Sequence, residues 1–387
     1  MTIRQISEKR KKKKLLIATD CFLPRWDGIA RFLLETVPYL RDDYDITIIA
    51  PEYKGSFRMP EEKIKITRLP TFRFKIGDYS PSKFQFKVIK KEIEKADLIW
   101  SQTIGPIGAL TILLAKKADK KVISYAHSLE WDLFVHSISL PKQLRGKVKD
   151  VAKKIVSYVY NHCDMILVPS KDIGAALTRV RIKTKKVVVP LGVDTKQFIP
   201  SKDKQLSKKR LNLDPDKIVV GYCGRIGREK NLATLFNAFS LIEKKKTFHL
   251  LIVGEGLKKI TKKISSKNVT LAGRQDDVVP YLQAIDIFVM PSLTETSSLS
   301  TMEAMACGLC VVATRVGYIK HYIKKMENGL FFQKQNHISL AKKLEYLTRH
   351  KEIRKKLGEK ARKTIVSKYD WKKTTDLIKS TFEKIKL

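Results

Sequence analysis

Residues 285–308, IDIFVMPSLTETSSLSTMEAMACG, combine a short apolar run, a polar loop and a segment with helical spacing from Leu299 onward. The apolar run predicts a buried β-strand, and the segment after the loop predicts a helix. Glu295 lies in the loop, and Glu303 lies one to two turns into the helix. Both carboxylates can therefore face one cleft at the carboxyl end of the strand.

This arrangement suits a ligand that carries both phosphate and hydroxyl groups. The first turn of a helix leaves backbone N–H groups unpaired, and these bind anions. Carboxylates accept hydrogen bonds from hydroxyls, so the segment fits an enzyme that holds a sugar diphosphate. The alternative is an ordinary strand, loop and helix, in which the two acids only favour the helix N-terminus.

The composition is that of a globular protein with a large positive charge. The chain has 387 residues, 43% hydrophobic and 9% aromatic, which is enough for two or three domains with their own cores. Its net charge of +39 indicates affinity for nucleic acid, anionic lipid headgroups or phosphorylated substrates. A lysine-rich proteome, as in many thermophiles, would give the same charge without such a partner.

The five cysteines form no disulfide framework, which indicates a reducing compartment. Cys307 and Cys310 form a single CxxC with no second pair and no histidine at ligand spacing, so we expect small buried residues and not a metal site.

After the basic run at 9–14, the apolar patch LLIATD is too short for a signal peptide. No stretch approaches a spanning helix, and IGALTILLA is the nearest. We expect a soluble or surface-bound protein.

Short β-branched runs alternate with helical segments in two successive halves. We predict an α/β protein of the GT-B type, with two Rossmann-like domains and a cleft between them. The predicted boundaries are 1–195 for the first domain, 196–215 for a linker and 216–369 for the second domain. A C-terminal helix at about 370–387 is expected to pack back on the first domain. The predicted strands of the first half are LLIAT, DITIIA, LIWSQ, KVISYAH and MILVPS, and those of the second are IVVGYCG, HLLIVG, VTLAG, IDIFVMPS and CVVAT.

Three further candidates lie near predicted strand ends. In GYCGRIGREKN, Arg225 and Lys230 can clamp a diphosphate, or they are two solvated cations in a cation-rich chain. Gly28 begins a predicted helix and allows close approach of phosphate, although a simple turn would also use glycine. His127 ends the strand VISYAH at the edge where ligands bind in open α/β sheets, or it is a core histidine.

These residues together resemble the retaining, nucleotide-sugar-dependent glycosyltransferases of family 4, which have the GT-B fold. The resemblance covers nearly the whole chain in family order. It is carried by Asp27-Gly28, His127, VPS at 168–170, VPLGVDTKQF at 189–198, GRIGREKN at 224–231, IVGEG at 252–256, VTLAG at 269–273, the segment from Pro291 to Gly308, NGLFF at 328–332 and YDW at 369–371.

The resemblance implies a role for each candidate. Arg225 and Lys230 would neutralise the diphosphate leaving group, Glu303 would hold the ribose, and Glu295 would face the donor sugar. The remaining donor contacts would come from amides around Ser298, Leu299 and Ser300, from Gly28 and His127 across the cleft, and from backbone near Gly273 and Arg274 beside the base. The resemblance also implies no metal and no cofactor, with the nucleotide-sugar as co-substrate.

The chain departs from the family pattern around the sugar and acceptor. Thr296 replaces the glycine usual after the first glutamate, and Cys310 replaces a proline. Tyr318 follows Gly317 where a second glycine is usual, and His321 replaces an acid. In the first half, Asp27 replaces the first glycine of the N-terminal pair. Ser128 replaces the acid beside the histidine. The residues that would bind the diphosphate match the family pattern, so the resemblance predicts the class of activity. It does not predict which sugar is transferred.

A predicted basic amphipathic helix at 141–160 suggests where the acceptor is. An apolar stripe of Leu144, Val148, Val151, Ala152, Ile155 and Val159 is surrounded by cations, with Lys147, Lys149, Lys153 and Lys154 as the expected membrane contacts. The segment 72–91 adds aromatics interleaved with cations. The alternative is a helix whose stripe packs on the sheet.

The resulting prediction is a cytoplasmic enzyme, peripheral at the inner membrane face. It would transfer a hexosyl group of glucose or mannose type to a lipid or lipid-linked glycan, with retained α configuration. Alternatives are a soluble glycan or small-molecule acceptor, a GT-B phosphorylase or soluble-glycan synthase, and a basic nucleic-acid-binding protein. Nucleic acid is not an expected partner, because no RRM, KH, helix-turn-helix or zinc-finger signature is present. The sequence does not specify the sugar, the base or the oligomeric state.

Overall fold

A computed structural model describes residues 12–55, 64–76, 79–138, 141–243, 247–257, 266–295 and 297–385. Part of the basic run at 9–14, residues 77–78 of the aromatic segment, Thr296 and the last two residues lie outside these ranges. Within them the chain forms two parallel β-sheets with helices on their faces. The prediction of an α/β protein with two Rossmann-like units is confirmed.

The first sheet has seven strands in the order β3-β2-β1-β4-β5-β6-β7, all parallel. Successive residues of β1 point to opposite faces, so Leu15 and Ile17 pack in one core while Leu16 and Ala18 pack in another. The strands are β1 Lys13–Ala18, β2 Tyr44–Pro51, β3 Lys65–Leu69, β4 Leu98–Ser101, β5 Lys121–Tyr125, β6 Met165–Val168 and β7 Lys186–Val188.

Helices cover both faces of this sheet, as both core layers require. Residues of α1 pack on one face, and residues of α2, α3, α5 and α6 pack on the other. The helices are α1 Gly28–Leu40, α2 Phe86–Lys95, α3 Pro106–Lys117, α4 Glu130–Ser137, α5 Lys142–Tyr160 and α6 Lys171–Arg179.

The second sheet has six parallel strands in the order β10-β9-β8-β11-β12-β13. Its strands are β8 Ile218–Cys223, β9 Phe248–Val253, β10 Val269–Gly273, β11 Ile287–Met290, β12 Cys310–Thr314 and β13 Leu330–Phe332. The predicted linker 196–215 lies between β7 and β8. The associated helices are α7 Lys204–Lys209, α8 Leu232–Ile242, α9 Val279–Ala284, α10 Leu299–Ala306, α11 Ile319–Tyr322, α12 His337–Arg349 and α13 Lys351–Lys368.

The last helix of the described chain, α14 Trp371–Glu383, returns to the first sheet. Phe382 is buried there, with its ring centroid 5.3 Å from that of Trp100. Trp371 lies 5.8 Å from Phe32 of α1. The chain therefore crosses between the two units twice, once through the linker and once before α14.

The segment quoted first folds as its pattern predicts. Its strand spans Ile287–Met290, and its helix begins at Leu299. Cys307 and Cys310 are both buried, which confirms their prediction as small buried residues. IGALTILLA lies within α3, and no helix in the described ranges is long and apolar enough to cross a bilayer.

Candidate active site

Arg225 and Lys230 follow the carboxyl end of β8. The strand ends at Cys223, and Gly224 takes a φ of +143°, which favours glycine. The hydroxyl of Tyr222 donates to the Arg225 carbonyl oxygen at 2.7 Å and fixes the turn. The Arg225 guanidinium pairs with Glu229, four residues further on. Both predicted diphosphate cations are thus held at one edge of the second sheet.

The predicted sugar-facing carboxylate is in direct contact with one of these cations. The Lys230 Nζ lies 2.5 Å from Oε1 of Glu295. The Ser292 hydroxyl donates to the same Glu295 oxygen at 2.8 Å. Since Lys230 and Glu295 are 65 residues apart in sequence, the fold alone brings them together. A diphosphate entering the cleft would compete with Glu295 for the Lys230 ammonium.

The N-terminus of α10 supplies the predicted amides. Ser298 precedes the helix with a left-handed φ of +60°, and its hydroxyl lies 2.7 Å from that of Thr301. Across the described residues, no hydrogen-bond acceptor is found for the N–H groups of Leu299 or Ser300. These amides are the ones that the sequence predicts to face the ligand. The buried Ser297 hydroxyl beside them also has no partner among the described residues.

Glu303 is buried one turn further along α10, and burial raises its pKa. Arg31, on α1 of the first unit, approaches it with 3.9 Å between Nε and Oε1. Arg31 also pairs with Glu35 at 2.6 Å and donates to Gln197 at 2.9 Å. The sequence analysis missed Arg31, because no motif marks it. The signal that could have identified Arg31 was its position in the first turn of the helix that begins at Gly28.

Gly28 is the first residue of α1, and Asp27 caps this helix. One carboxylate oxygen of Asp27 accepts from the N–H groups of Ile29 and Ala30, both at 3.0 Å. A Cβ added at Gly28 would meet no atom within 4 Å. Packing therefore does not require glycine here, and the space beside it is open to a ligand. The close approach of a phosphate to Gly28 stays a prediction.

His127 follows β5, at the carboxyl edge of the first sheet. Its Nε2 lies 2.9 Å from Oε1 of Gln102, and its ring stacks on Tyr125 with centroids 4.4 Å apart. Burial lowers the pKa of His127 to about 3. The imidazole is therefore neutral near pH 7 and suits a hydrogen bond to a hydroxyl. Gln102, directly after β4, is a second residue that the sequence analysis did not single out.

Gly273 and Arg274 end β10 beside the first unit. Gly273 has a φ of +67°, so its backbone conformation favours glycine. The Arg274 guanidinium donates to the carbonyl oxygen of Pro24 at 2.9 Å, which joins the two units. Leu299 also packs against the core of the first unit. The predicted donor residues thus come from both sides of one cleft.

The four predicted membrane lysines lie on α5, away from these residues, and the predicted stripe needs correction. Val159 is buried, whereas Leu144, Val151 and Ile155 are exposed, so the six apolar residues do not form one surface. Lys149 pairs with Asp132 at 2.5 Å and Lys153 with Asp150 at 2.8 Å. Helical spacing groups residues by face, but it does not show which face the sheet covers.

The described residues contain no candidate metal site. No group of three or more His, Cys, Asp or Glu side chains is positioned there to hold a metal ion. The expectation of a reaction without metal or cofactor stays a prediction.

Two family profiles match successive parts of the chain. "Glycosyltransferase Family 4" matches residues 26–197, and "Glycosyl transferases group 1" matches residues 203–364. Together the matches include every predicted donor-site residue. The chain belongs to glycosyltransferase family 4. It is a group 1 glycosyltransferase, as the resemblance predicted.

Similar proteins span nearly the whole of this glycosyltransferase. An alpha-monoglucosyldiacylglycerol synthase of Acholeplasma laidlawii is 25% identical over 365 residues, covering 89% of this chain and 90% of its own. A UDP-Gal:alpha-D-GlcNAc-diphosphoundecaprenol alpha-1,3-galactosyltransferase of Escherichia coli is 24% identical, covering 95% and 97%. Anabaena HepE, solved with UDP and glucose, superposes with a TM-score of 0.78 at 16% identity over 96% of this chain and 100% of its own, which shows the shared fold.

We predict that His127→Gln lowers kcat/KM about tenfold or more, because one transition-state hydrogen bond is lost. Since burial holds the pKa of His127 near 3, it stays neutral from pH 5 to pH 8. The shape of the pH–rate profile over that range should therefore be the same in the variant. His350→Gln, at an exposed position on the second unit, is the matched control and should leave the rate unchanged. Loss of an inflection near neutral pH in His127→Gln would contradict the neutral-donor role.

Proposed function

We propose that this glycosyltransferase moves a hexosyl group, of glucose or mannose type, from a nucleotide-sugar to a lipid or lipid-linked glycan with retained α configuration. The observation that carries the proposal is the pair of cations after β8, Arg225 and Lys230. They lie on the same sheet edge as the unpaired amides of α10. Guanidinium, ammonium and helix N-terminus are the groups that stabilise a departing diphosphate.

The remaining donor roles follow from the same cleft. Glu303 accepts hydrogen bonds from the ribose hydroxyls, and Glu295 faces the sugar. The backbone beside Gly28 approaches the diphosphate from the first unit, and neutral His127 bonds a sugar hydroxyl. Backbone near Gly273 and Arg274 lies against the base. The protein cations take the charge of the leaving group, so the proposed reaction requires no metal.

We propose same-face substitution as the route to retention. The acceptor hydroxyl oxygen forms a bond to the anomeric carbon on the face from which the phosphate oxygen leaves. That phosphate oxygen takes the hydroxyl proton, so the products are the glycosylated acceptor and a nucleoside diphosphate. No protein nucleophile is required. A β-linked product in a proton NMR spectrum would rule this route out.

The lipid acceptor is supported by what the similar proteins are called. The names of the Acholeplasma and Escherichia coli relatives specify diacylglycerol and diphosphoundecaprenol derivatives. No observation favours a phosphorylase or a soluble-glycan synthase over these.

The surface of α5 supports docking of the enzyme on a bilayer. Leu144, Val151, Ile155 and Tyr158 are 47%, 57%, 58% and 60% exposed, and their spacing places them on one helix face. Lys147 and Lys154 lie on the same side of the helix, and within the described ranges neither has an ion-pair partner. An exposed apolar face flanked by unpaired lysines is typical of helices that lie on anionic membranes.

A second exposed apolar group lies on the same unit. Phe74, Phe84 and Phe86 are each more than half exposed, with Phe84 and Phe86 stacked at 6.2 Å. Phe86 begins α2, which packs on the same face of the first sheet as α5. We therefore propose that the enzyme is peripheral at the inner, cytoplasmic face of the membrane, and that α2 and α5 both contact the bilayer.

We predict that Lys230→Ala lowers the turnover of every donor by roughly 100-fold to 1000-fold, because the leaving diphosphate loses a cation. The assay is release of nucleoside diphosphate from uridine, guanosine and adenosine diphosphate-sugars. It also separates a transferase from a phosphorylase, which would consume free phosphate. Lys342→Ala, at an exposed position on α12, is the matched control. Wild-type turnover in Lys230→Ala would disprove the diphosphate assignment.

We predict that the enzyme floats with anionic vesicles but not with zwitterionic ones. Each lysine near the surface contributes about 1 kcal/mol, so Lys147→Gln with Lys154→Gln should weaken binding about 30-fold. Lys149→Gln with Lys153→Gln removes the same charge at positions already paired within the protein, and should weaken binding less. Equal losses in the two double variants would show that only net charge matters. An enzyme that stays unbound at low salt would indicate a soluble acceptor.

A further inference from the structure

A cavity lies between the two units, beside the predicted donor site. It has a volume of about 170 Å³, and it is lined from the first unit by α4, the residue after it and the start of α5. From the second unit it is lined by Arg228 of the short 3-10 turn at Arg228–Lys230, by the loop after β11 and by Gln335 just before α12. None of the predicted donor residues lines it.

The lining combines two guanidinium groups with apolar walls. Arg145 comes from the first unit and Arg228 from the second, while Val135, Ile138 and Leu293 supply apolar surface. The Arg228 side chain has no hydrogen-bond or ion-pair partner within the described ranges. Cations from both walls of a cavity, without a carboxylate in its lining, favour an anionic ligand with an apolar part.

Gln335 and His136 are the other two polar residues of the lining. Of these, His136 is held by a backbone contact. Its Nδ1 lies 2.6 Å from the carbonyl oxygen of Asp132, so that nitrogen carries the proton of the bond. The ring is therefore fixed in place, and its Nε2 remains for a ligand.

The position of the cavity connects it to the reaction. Arg228 lies two residues before Lys230, and Leu293 lies two residues before Glu295. The Leu293 N–H donates to the Glu229 carbonyl oxygen at 2.7 Å, which joins the two loops. A ligand in the cavity would thus lie next to the predicted sugar site while contacting different side chains.

The cavity also adjoins the proposed membrane surface. Arg145 of its lining follows Leu144, which belongs to the exposed apolar face of α5. The start of α5 therefore contributes both to the cavity and to the proposed membrane surface. A lipid could then place its phosphate in the cavity while its chains stay in the membrane.

We propose that this cavity binds a phosphate group carried by the lipid acceptor, held between Arg145 and Arg228. The inference rests on the proposed function and narrows it, because it assigns a phosphate-bearing acceptor and excludes a neutral diacylglycerol. Arg228 is then a specificity residue for the acceptor, separate from the donor cations. The phosphate could instead belong to a neighbouring bilayer phospholipid, and the test separates these two sources.

The test compares Arg228→Gln with Arg349→Gln, a matched change at an exposed site on α12. The acceptors are a short-chain polyprenyl-diphosphate-linked sugar and a neutral diacylglycerol, each in detergent micelles without phospholipid. We expect the wild type to use the first acceptor. We expect Arg228→Gln to raise the KM for that acceptor about tenfold or more, and Arg349→Gln to leave it unchanged. The KM for the donor should stay within about twofold in both variants, which controls for misfolding.

Three results would overturn the assignment. The first is a wild type that prefers the neutral acceptor. The second is an equal KM for the phosphate-bearing acceptor in the two variants. The third is an effect of Arg228→Gln that appears only when phosphatidylglycerol is added, since the cavity would then bind a bilayer headgroup. If the wild type releases no nucleoside diphosphate from any donor with either acceptor, the proposed function itself fails. Turnover that is insensitive to Arg228→Gln would reject only the acceptor assignment.

Discussion

The parallel direction of the strands in both sheets determines where chemistry is possible in this protein. Every strand of a parallel sheet ends at the same edge, so the loops after the strands collect polar side chains there. His127 follows β5, Arg225 follows β8, Arg274 follows β10 and Glu295 follows β11. Arg31 approaches Glu303 across the cleft between the two units, and Arg274 donates to the Pro24 carbonyl oxygen. The cleft therefore lies where the strand ends of both sheets collect polar side chains.

The charged groups in the cleft are already paired before any ligand enters. Lys230 contacts Glu295, Arg225 contacts Glu229, and Arg31 approaches Glu303. A partly buried ion without a partner is costly, so the pairs keep the site stable in the absence of donor. A ligand must then replace a carboxylate as the partner of each cation. A diphosphate can do this at two cations together, whereas a monophosphate has fewer charges to offer.

Much of the fold was predictable because buried parallel strands have short runs of β-branched residues between helical segments. The run IDIFVMPS and the helix from Leu299 are examples. Arg225, Lys230 and Glu295 were proposed as site residues from their positions after strands. The contact between Lys230 and Glu295 was not predicted, since it depends on how β8 and β11 pair. Arg31 was missed because no motif marks it and because its partner Glu303 lies on the other unit. For α5, spacing identified an amphipathic helix, but only packing shows that Val159 is covered and Ile155 is exposed.

The cavity at Arg145 and Arg228 was invisible to sequence reasoning for the same physical reason. Its walls come from two units that meet only after folding, and neither arginine belongs to a motif. Cations dispersed through a chain of net charge +39 carry little information individually. They become informative when one cavity brings two of them together beside the predicted donor site.

The central claim is that Arg225 and Lys230 hold the diphosphate of the donor. Isothermal titration calorimetry with the nucleoside monophosphate and diphosphate of the preferred base tests it most directly. The account predicts that wild-type enzyme binds the diphosphate at least about tenfold more tightly than the monophosphate, and that Lys230→Ala removes most of this difference. Equal affinity of the wild type for the two nucleotides, or a preference that persists unchanged in Lys230→Ala, would contradict it.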